Sequence, residues 1–278
     1  MYAAYPQKTL LRICKFSLMT LEFDFQSILL TIVIVAIAAI YSAIGQGGGT
    51  GYLAVMAVGG LAPDEIRPTV LALNILVSGV TGWKFAKAGR FSSKAFWPSV
   101  LAGAPAAMLG AWINLPASAY QLIVTILLLF ASERVFHASG FSEPPESKQT
   151  DTPTILRLAL FGAWSGFISG LTGIGGGIFL SPLLILTGWS DARTAAGTSA
   201  FFTLLNSIAG LAVISSKLGS LPSGIGFWFA AAGAGAWVGS ELGLRGMSEF
   251  TARRLLALVL ALAAIRSFLT ALTNLEII

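Results

Sequence analysis

The sequence predicts an all-α polytopic membrane protein built from two homologous repeats. The chain is 55% hydrophobic and only 10% charged, and its mean hydropathy is +0.81, whereas soluble domains carry roughly 25% charged residues. Its apolar runs have the length of spanning helices, which need about 20 residues each. A glycine cluster at residues 45–49 returns at residues 173–177, an offset of 128 residues. We expect 8–10 transmembrane segments, with the second repeat inverted relative to the first.

The N-terminal segment, residues 1–18, carries Lys8, Arg12 and Lys15 beside only a short apolar stretch. It lacks the apolar region and the cleavage site of a signal peptide, so we treat it as an extension outside the fold, and Met19 is an alternative start. Cys14 and His137 are the single cysteine and the single histidine of the chain. One residue of each type excludes an intrachain disulfide and argues against a Cys/His metal site or a haem.

The first repeat, residues 19–137, opens with a helix that ends at the glycine cluster. A segment too short to span at 1.5 Å per residue follows, and three further helices complete the repeat. The expected bounds are Phe25–Ile44, Thr50–Ala62, Arg67–Phe85, Ala95–Ile113 and Ala117–Phe136. Residues 138–153 form a polar linker that contains Pro144 and Pro145.

The second repeat, residues 154–278, follows the same plan: a long helix, the glycine cluster, a short segment and three helices. The expected bounds are Thr154–Thr172, Ile178–Trp189, Ala195–Ile214, Pro222–Leu242 and Arg253–Leu272. Landmarks such as Gly60 and Gly188 keep the offset of 128, which favours a duplication.

The charge pattern leaves two topologies open. If the short segments cross, each half has five segments, the second half is inverted, and eleven Lys and Arg residues on one face place both termini outside under the positive-inside rule. If the short segments are re-entrant, there are eight spans and the same rule places the termini inside. We expect the inverted ten-segment arrangement.

The glycine clusters themselves are the first candidate binding site. Glycine lets a helix unwind and lets another group approach closely, and paired Gly-interrupted segments indicate a transporter's substrate site. Each cluster precedes a short helix, whose free N–H groups and positive dipole end suit an anion. The simpler alternative is close helix packing, which also explains Gly162, Gly166 and Gly170. The candidate glycines are Gly45, Gly47, Gly48 and Gly49, followed by Gly173, Gly175, Gly176 and Gly177.

Polar residues inside the apolar helices complete the predicted site. They are Gln46, Asn74, Ser181, Thr198, Ser199 and Asn206, with Thr50, Ser78 and Thr203 as further polar positions. Hydrogen bonding between helices is the alternative role for each of them. Arg266 falls near the middle of the last predicted helix, where a cation complements an anionic substrate. Its alternative is a side chain that extends to the headgroups.

Several classes of function are disfavoured. The clusters lack the Gly-Lys-Ser/Thr of a nucleotide-binding loop and the preceding strand of a dinucleotide fingerprint. No Asp or Glu lies clearly within a predicted helix, and neither a catalytic triad nor a metal-ligand cluster can be assembled. We therefore expect a protein that is not an enzyme, that needs no cofactor or metal and that binds no nucleic acid.

The two glycine motifs are similar to a known family signature. The stretches Ser42–Gly49 and Ser169–Gly177, with Ser181-Pro182 and Ala196–Ala200, resemble the paired signature of the TauE/SafE sulfite exporter family. The first copy departs from it: Leu53-Ala54 replaces the Ser-Pro pair and Pro68-Thr69-Val70 replaces Gly-Thr-Ser. This departure shifts the expected site toward the second half.

The resemblance implies a multi-pass transporter of the bacterial inner membrane that moves small sulfur-containing anions such as sulfite, sulfonates or sulfoacetate. The expected partners are the lipid bilayer and the small anion, while the coupling ion (proton or sodium) and the oligomeric state stay open. An anion channel and a transporter of a non-sulfur organic anion are the alternatives. A ring of charges for channel selectivity is not evident, which favours a carrier.

Overall fold

The structure is a computed structural model that describes residues 25–116, 155–187, 189–215, 221–222 and 225–245, with residues 119, 120, 122, 123, 125, 126 and 129. Eight helices are assigned within these residues and no strand is found among them. They are α1 (Phe25–Ala43), α2 (Gly49–Val58), α3 (Pro63–Lys87), α4 (Ser93–Trp112), α5 (Ile155–Thr172), α6 (Gly177–Leu186), α7 (Ala192–Val213) and α8 (Ile225–Arg245).

Three of the described helices are long and apolar enough to cross a membrane by length and composition, over Asp64–Lys87, Ile155–Thr172 and Ala192–Val213. The other helices carry the same outward-facing apolar character, since Trp112, Leu101 and Phe227 are more than half exposed. Large apolar side chains that face outward are unfavourable in water and suit a lipid surface. The observed elements are those of a polytopic membrane protein.

Among the helix bounds that the sequence predicted wrongly, the two largest differences lie at the end of α2 and the start of α3. The first short helix begins at Gly49 and ends at Val58, because Gly59 and the left-handed Gly60 (φ 78°) stop it before Ala62. The next helix begins at Pro63, four residues before Arg67. Proline in the first turn followed by Asp64 and Glu65 favours an early start, because these residues suit a helix N-terminus. Arg67 therefore lies inside α3.

Each short helix folds back along the long helix before it. A Cβ on Gly51 would meet Ile37 of α1, and one on Gly59 would lie 3.4 Å from Leu30, so α1 and α2 are antiparallel. Phe179 of α6 likewise packs edge-on against Trp164 of α5, with ring centroids 5.0 Å apart. Each pair forms a helical hairpin, and a glycine cluster makes its tip.

Two seams of small residues join the first and second halves of the chain. Gly162, Gly166 and Gly170 of α5 have no room for a Cβ because the backbone of Ser99, Gly103 and Ala107 of α4 lies against them. Gly235, Gly239 and Gly243 of α8 meet the carbonyls of Val35, Ala39 and Ala43 of α1 in the same way. Small residues allow this close backbone contact in a membrane. The packing role predicted for the α5 glycines is confirmed.

The order of contacts along these helices gives their directions. In both seams the residue numbers of the contacting pairs increase together along the two helices. Hence α4 is parallel to α5, and α1 is parallel to α8. Leu76 meets Gly233, and Lys84 meets Trp237, so α3 is parallel to α8.

The helices α3 and α7 cross the centre in opposite directions, because Leu71 meets Gly210 while Gly82 meets Phe201. Gly103 meets Phe202 and Ala111 meets Gly210, so α4 is parallel to α7. The helices that the sequence predicts to be equivalent (α1 and α5, α3 and α7, α4 and α8) therefore run in opposite directions.

Candidate functional site

The two hairpin tips have positive φ angles at two matched positions. Gly45 (φ 74°) corresponds to Gly173 (φ 87°), and Gly48 (φ 91°) corresponds to Gly176 (φ 74°), each pair at the offset of 128. The tips differ at Gly175 (φ 98°), since Gly47 at the same offset has no positive φ. Residues other than glycine adopt a positive φ at an energetic cost. A left-handed glycine, Gly48 or Gly176, therefore precedes each short helix.

The two tips meet between α3 and α7. A Cβ on Gly49 would overlap the carbonyl of Ile174, so the first tip touches the second. The methyl group of Thr203 bridges them, since it would lie 2.8 Å from a Cβ on Gly47 and 2.5 Å from one on Gly175. The tips are thus brought together with their backbones in direct contact, as the clustering of glycine allows.

Asn74 of α3 ties the second tip in place. Its fully buried side chain donates hydrogen bonds to the carbonyls of Gly173 (3.1 Å) and Ile174 (3.3 Å). Its carbonyl oxygen Oδ1 has no partner among the described residues. This oxygen faces Gly47 and lies 3.0 Å from the position of a Cβ built on that glycine. The hydroxyl of Ser78, one turn further along α3, also faces Gly47 and also has no partner. These two groups present oxygen atoms to the first tip.

Polar groups of α7 face the second tip. Thr203 Oγ1 accepts a hydrogen bond of 3.1 Å from the backbone N–H of Gly177, the first residue of α6. Asn206 is fully buried, and both its Nδ2 and its Oδ1 lack a partner. The amide Nδ2 faces Gly176, at 3.3 Å from a Cβ placed there. Ser199, one turn before Thr203, is also buried with an unpartnered hydroxyl.

A buried polar group without a hydrogen-bond partner costs about 1–3 kcal/mol. Within the part of the chain that the structure describes, Asn74 Oδ1, Ser78 Oγ and both polar atoms of Asn206 lack a partner and carry this cost beside the two tips. Beside them, α2 and α6 begin at the tips, where the first N–H groups of a helix have no partner within it. The arrangement presents both hydrogen-bond donors and acceptors to a small polar ligand.

The remaining predicted site residues take different positions. Gly45 packs against Ala196 in the second turn of α7, Gln46 is buried with Oε1 unpartnered, and Ser181 is buried on α6. Thr198 lies apart from the tips, because its hydroxyl donates to Thr194 O (2.7 Å) and accepts from Ser92 N (3.0 Å). Arg266 lies outside the described residues.

Arg67 is the residue that sequence reasoning missed. It is 8% exposed, and its guanidinium donates to the carbonyls of Ala111 (2.8 Å), Gly110 (3.2 Å) and Gly170 (2.5 Å). These carbonyls belong to the C-terminal ends of α4 and α5, where a cation is stabilised by the helix dipole. The helix start signals at Pro63, Asp64 and Glu65 would have placed it inside α3.

Comparison with known proteins agrees with this architecture. Residues 30–267 match the sequence model of a family described as Sulfite exporter TauE/SafE. The chain belongs to the TauE/SafE family. Its members are membrane transporters, and the resemblance seen in the glycine motifs is confirmed by this match. The match covers α1 through α8 from residue 30 onward, so both glycine tips of this TauE/SafE protein lie within it.

A curated relative has the same overall extent. The chain is 33% identical over 243 residues to a protein of Sinorhizobium fredii named "Probable membrane transporter protein y4hK", over 87% of this chain and 98% of that protein. The comparison with solved structures found no match. The candidate site of this TauE/SafE transporter is therefore inferred from the geometry of this chain and not from a solved relative.

Proposed function

We propose that this TauE/SafE protein is a secondary transporter of small anions, with its substrate held between the two glycine tips. The observation that carries the proposal is the buried amide of Asn206, whose Nδ2 and Oδ1 both lack a partner among the described residues and whose Nδ2 faces Gly176. Their burial without partners is costly unless a ligand supplies the missing hydrogen bonds. The substrate site is assigned to the space between α3, α7 and both tips.

The chemistry of the second tip favours an anion. The N-terminus of α6 and the amide Nδ2 of Asn206 offer hydrogen-bond donors. A helix N-terminus binds an anion without a buried lysine or arginine because its N–H groups and dipole supply positive potential. The family resemblance favours a small sulfur oxyanion such as sulfite, a sulfonate or sulfoacetate. A non-sulfur organic anion is the alternative substrate.

Helix direction supports inverted repeats with five segments each. Both α1 and α3 run parallel to α8, so the chain must return across the fold between them through the first tip and α2. A re-entrant α2 would leave α1 and α3 antiparallel. The matched positive φ angles of the two tips support a common origin of the halves. We assign ten segments in two inverted repeats.

The charges orient this arrangement in the bacterial inner membrane. Lys84, Lys87, Arg90, Arg157 and Arg245 all lie at one end of the bundle, because they fall at the ends of α3, α5 and α8 that the helix directions place together. The positive-inside rule assigns this end to the cytoplasm. The end that holds Arg67 then faces outward.

The seams indicate which parts move as units during transport. The parallel pair α4–α5 and the parallel pair α1–α8 each join one half of the chain to the other. We therefore infer that two rigid units move during alternating access. One contains α4, α5 and α6, and the other contains α1, α2 and α8, so each unit combines helices from both halves of the sequence. The site lies where the two units meet, as expected for a carrier built from inverted repeats.

Uptake of radiolabelled sulfite into proteoliposomes tests this proposal. We expect saturable uptake that unlabelled sulfite inside the vesicles accelerates, because a carrier exchanges substrate and a channel does not. Competition by sulfate, sulfoacetate, taurine and lactate ranks the substrates. Uptake without saturation or exchange would favour an anion channel, and competition by lactate alone would favour a carboxylate substrate.

A further inference from the structure

We propose that the first tip holds a sodium ion that is coupled to the anion at the second tip. This inference deepens the proposed transport function and rests on it for its physiological role. Its structural basis is separate: an oxygen-lined position formed by Asn74 and Ser78 of α3 against Gly47 of the first tip.

The orientation of the Asn74 amide makes this position an acceptor site. Its NH2 group is already engaged by the carbonyls of Gly173 and Ile174, so Oδ1 is the atom directed at Gly47. An amide oxygen can accept hydrogen bonds or bind a cation, and it cannot donate to an anion. Asn74 therefore differs from Asn206, whose donor Nδ2 faces the second tip.

Two further features favour a cation beside the oxygens of Asn74 and Ser78. Gln46, the neighbour of Gly47 in the chain, is buried, and its Oε1 has no partner among the described residues. The helix α1 ends at Ala43 just before the tip, and the negative end of its dipole stabilises a positive charge there.

The neutral character of these ligands favours a monovalent cation over a divalent one. The three atoms nearest to a Cβ built on Gly47 belong to the side chains of Asn74, Ser78 and Thr203, which are all neutral. Divalent cations are bound by carboxylates in proteins, and a proton relay needs a titratable group. Neutral oxygens at close spacing suit a small monovalent cation. The ion and the anion then occupy adjacent tips, so each binds more tightly when the other is present.

Thermal unfolding of the purified protein in detergent tests this site without any transport substrate. Sodium chloride, potassium chloride and choline chloride are compared at equal concentration, so that the anion and the ionic strength are constant. A bound ion raises the unfolding temperature by mass action. We expect stabilisation that saturates with sodium and that potassium and choline do not reproduce.

The variant Ser78→Ala removes one oxygen ligand that makes no protein hydrogen bond. We expect it to raise the half-saturating sodium concentration by roughly fivefold, the effect of losing one neutral polar contact. The matched control is Ser99→Ala, since Ser99 is equally buried with an unpartnered hydroxyl but lies in the α4–α5 seam.

Equal stabilisation by sodium, potassium and choline would overturn the sodium site, and so would an unchanged sodium response in Ser78→Ala. Neither result depends on sulfite. A sodium response without sulfite uptake would instead retain the ion site and contradict the proposed substrate.

Discussion

Asn74 donates a hydrogen bond of 3.1 Å to the carbonyl of Gly173, a residue 99 positions away in the second glycine tip. It donates a second bond of 3.3 Å to Ile174. A helix of the first half thereby holds the backbone of the second half at the point where the tips touch. Because the same amide directs its oxygen at Gly47, one side chain contacts both tips.

Replacement of Asn74 by leucine tests this link. We expect Asn74→Leu to lower the free energy of unfolding by about 2–4 kcal/mol, since two hydrogen bonds are lost and two buried carbonyls lose a donor. Transport should also fall, because the second tip is no longer fixed. Thermal unfolding and sulfite uptake measure the two effects. Unchanged stability would show that the amide does not hold the tip.

Arg67 provides a second test, at the C-terminal ends of α4 and α5. One guanidinium nitrogen, Nη2, lies within hydrogen-bond distance of carbonyls on both α4 and α5. A lysine side chain is shorter, and its ammonium is more strongly hydrated than a guanidinium. We expect Arg67→Lys to lower the free energy of unfolding by about 1–3 kcal/mol and Arg67→Leu by more, because the carbonyls then lose their cation. The comparison is made by thermal unfolding in detergent. If lysine were fully tolerated, charge alone would account for the role of Arg67.

The α4–α5 seam is tested by a pair of glycine substitutions. A Cβ at Gly170 would overlap the carbonyl of Ala107, whereas nothing lies within 4 Å of a Cβ at Gly226. We expect Gly170→Ala to destabilise the protein by about 1–3 kcal/mol, as overpacking does. Gly226→Ala should be neutral or stabilising by up to about 1 kcal/mol because alanine favours the helix. Equal effects of the two substitutions would contradict the close packing of this seam.

Much of the fold followed from sequence patterns of length and glycine spacing. The apolar runs predicted each described helix, and the offset of 128 between Gly45 and Gly173 predicted two matched interruptions, whose φ angles agree. Helix ends were less predictable. The start of α3 at Pro63 depends on capping residues, which compete with the apolar pattern that pointed to Arg67.

Contacts across the fold could not be read from the sequence. Thr198, Ser199 and Asn206 share a helical spacing, yet Thr198 pairs with Ser92 near the start of α4, while Asn206 faces Gly176. Arg67 binds only backbone carbonyls, and no residue type in the sequence marks such partners. Periodicity identifies a face of a helix, but the neighbouring helix determines what that face contacts.

The unpartnered amide of Asn206 beside the second tip is the group that we propose to bind the transported anion. Both polar atoms of Asn206 lack a partner among the described residues, so Asn206→Leu removes no hydrogen bond seen there and relieves a desolvation cost. We expect the free energy of unfolding to stay constant or to rise by about 1–3 kcal/mol. Sulfite uptake into proteoliposomes should fall at least roughly tenfold, which corresponds to about 1.4 kcal/mol of lost binding.

Ser207→Ala is the matched control, because Ser207 is buried on the same helix without a partner among the described residues but is not one of the contacts nearest to the glycines of either tip. The decisive measurement therefore compares sulfite uptake and thermal unfolding for the wild type, Asn206→Leu and Ser207→Ala. Our account predicts a stable Asn206→Leu protein that does not transport, beside a Ser207→Ala protein that does. Wild-type uptake in a stable Asn206→Leu protein would contradict the assignment of the site.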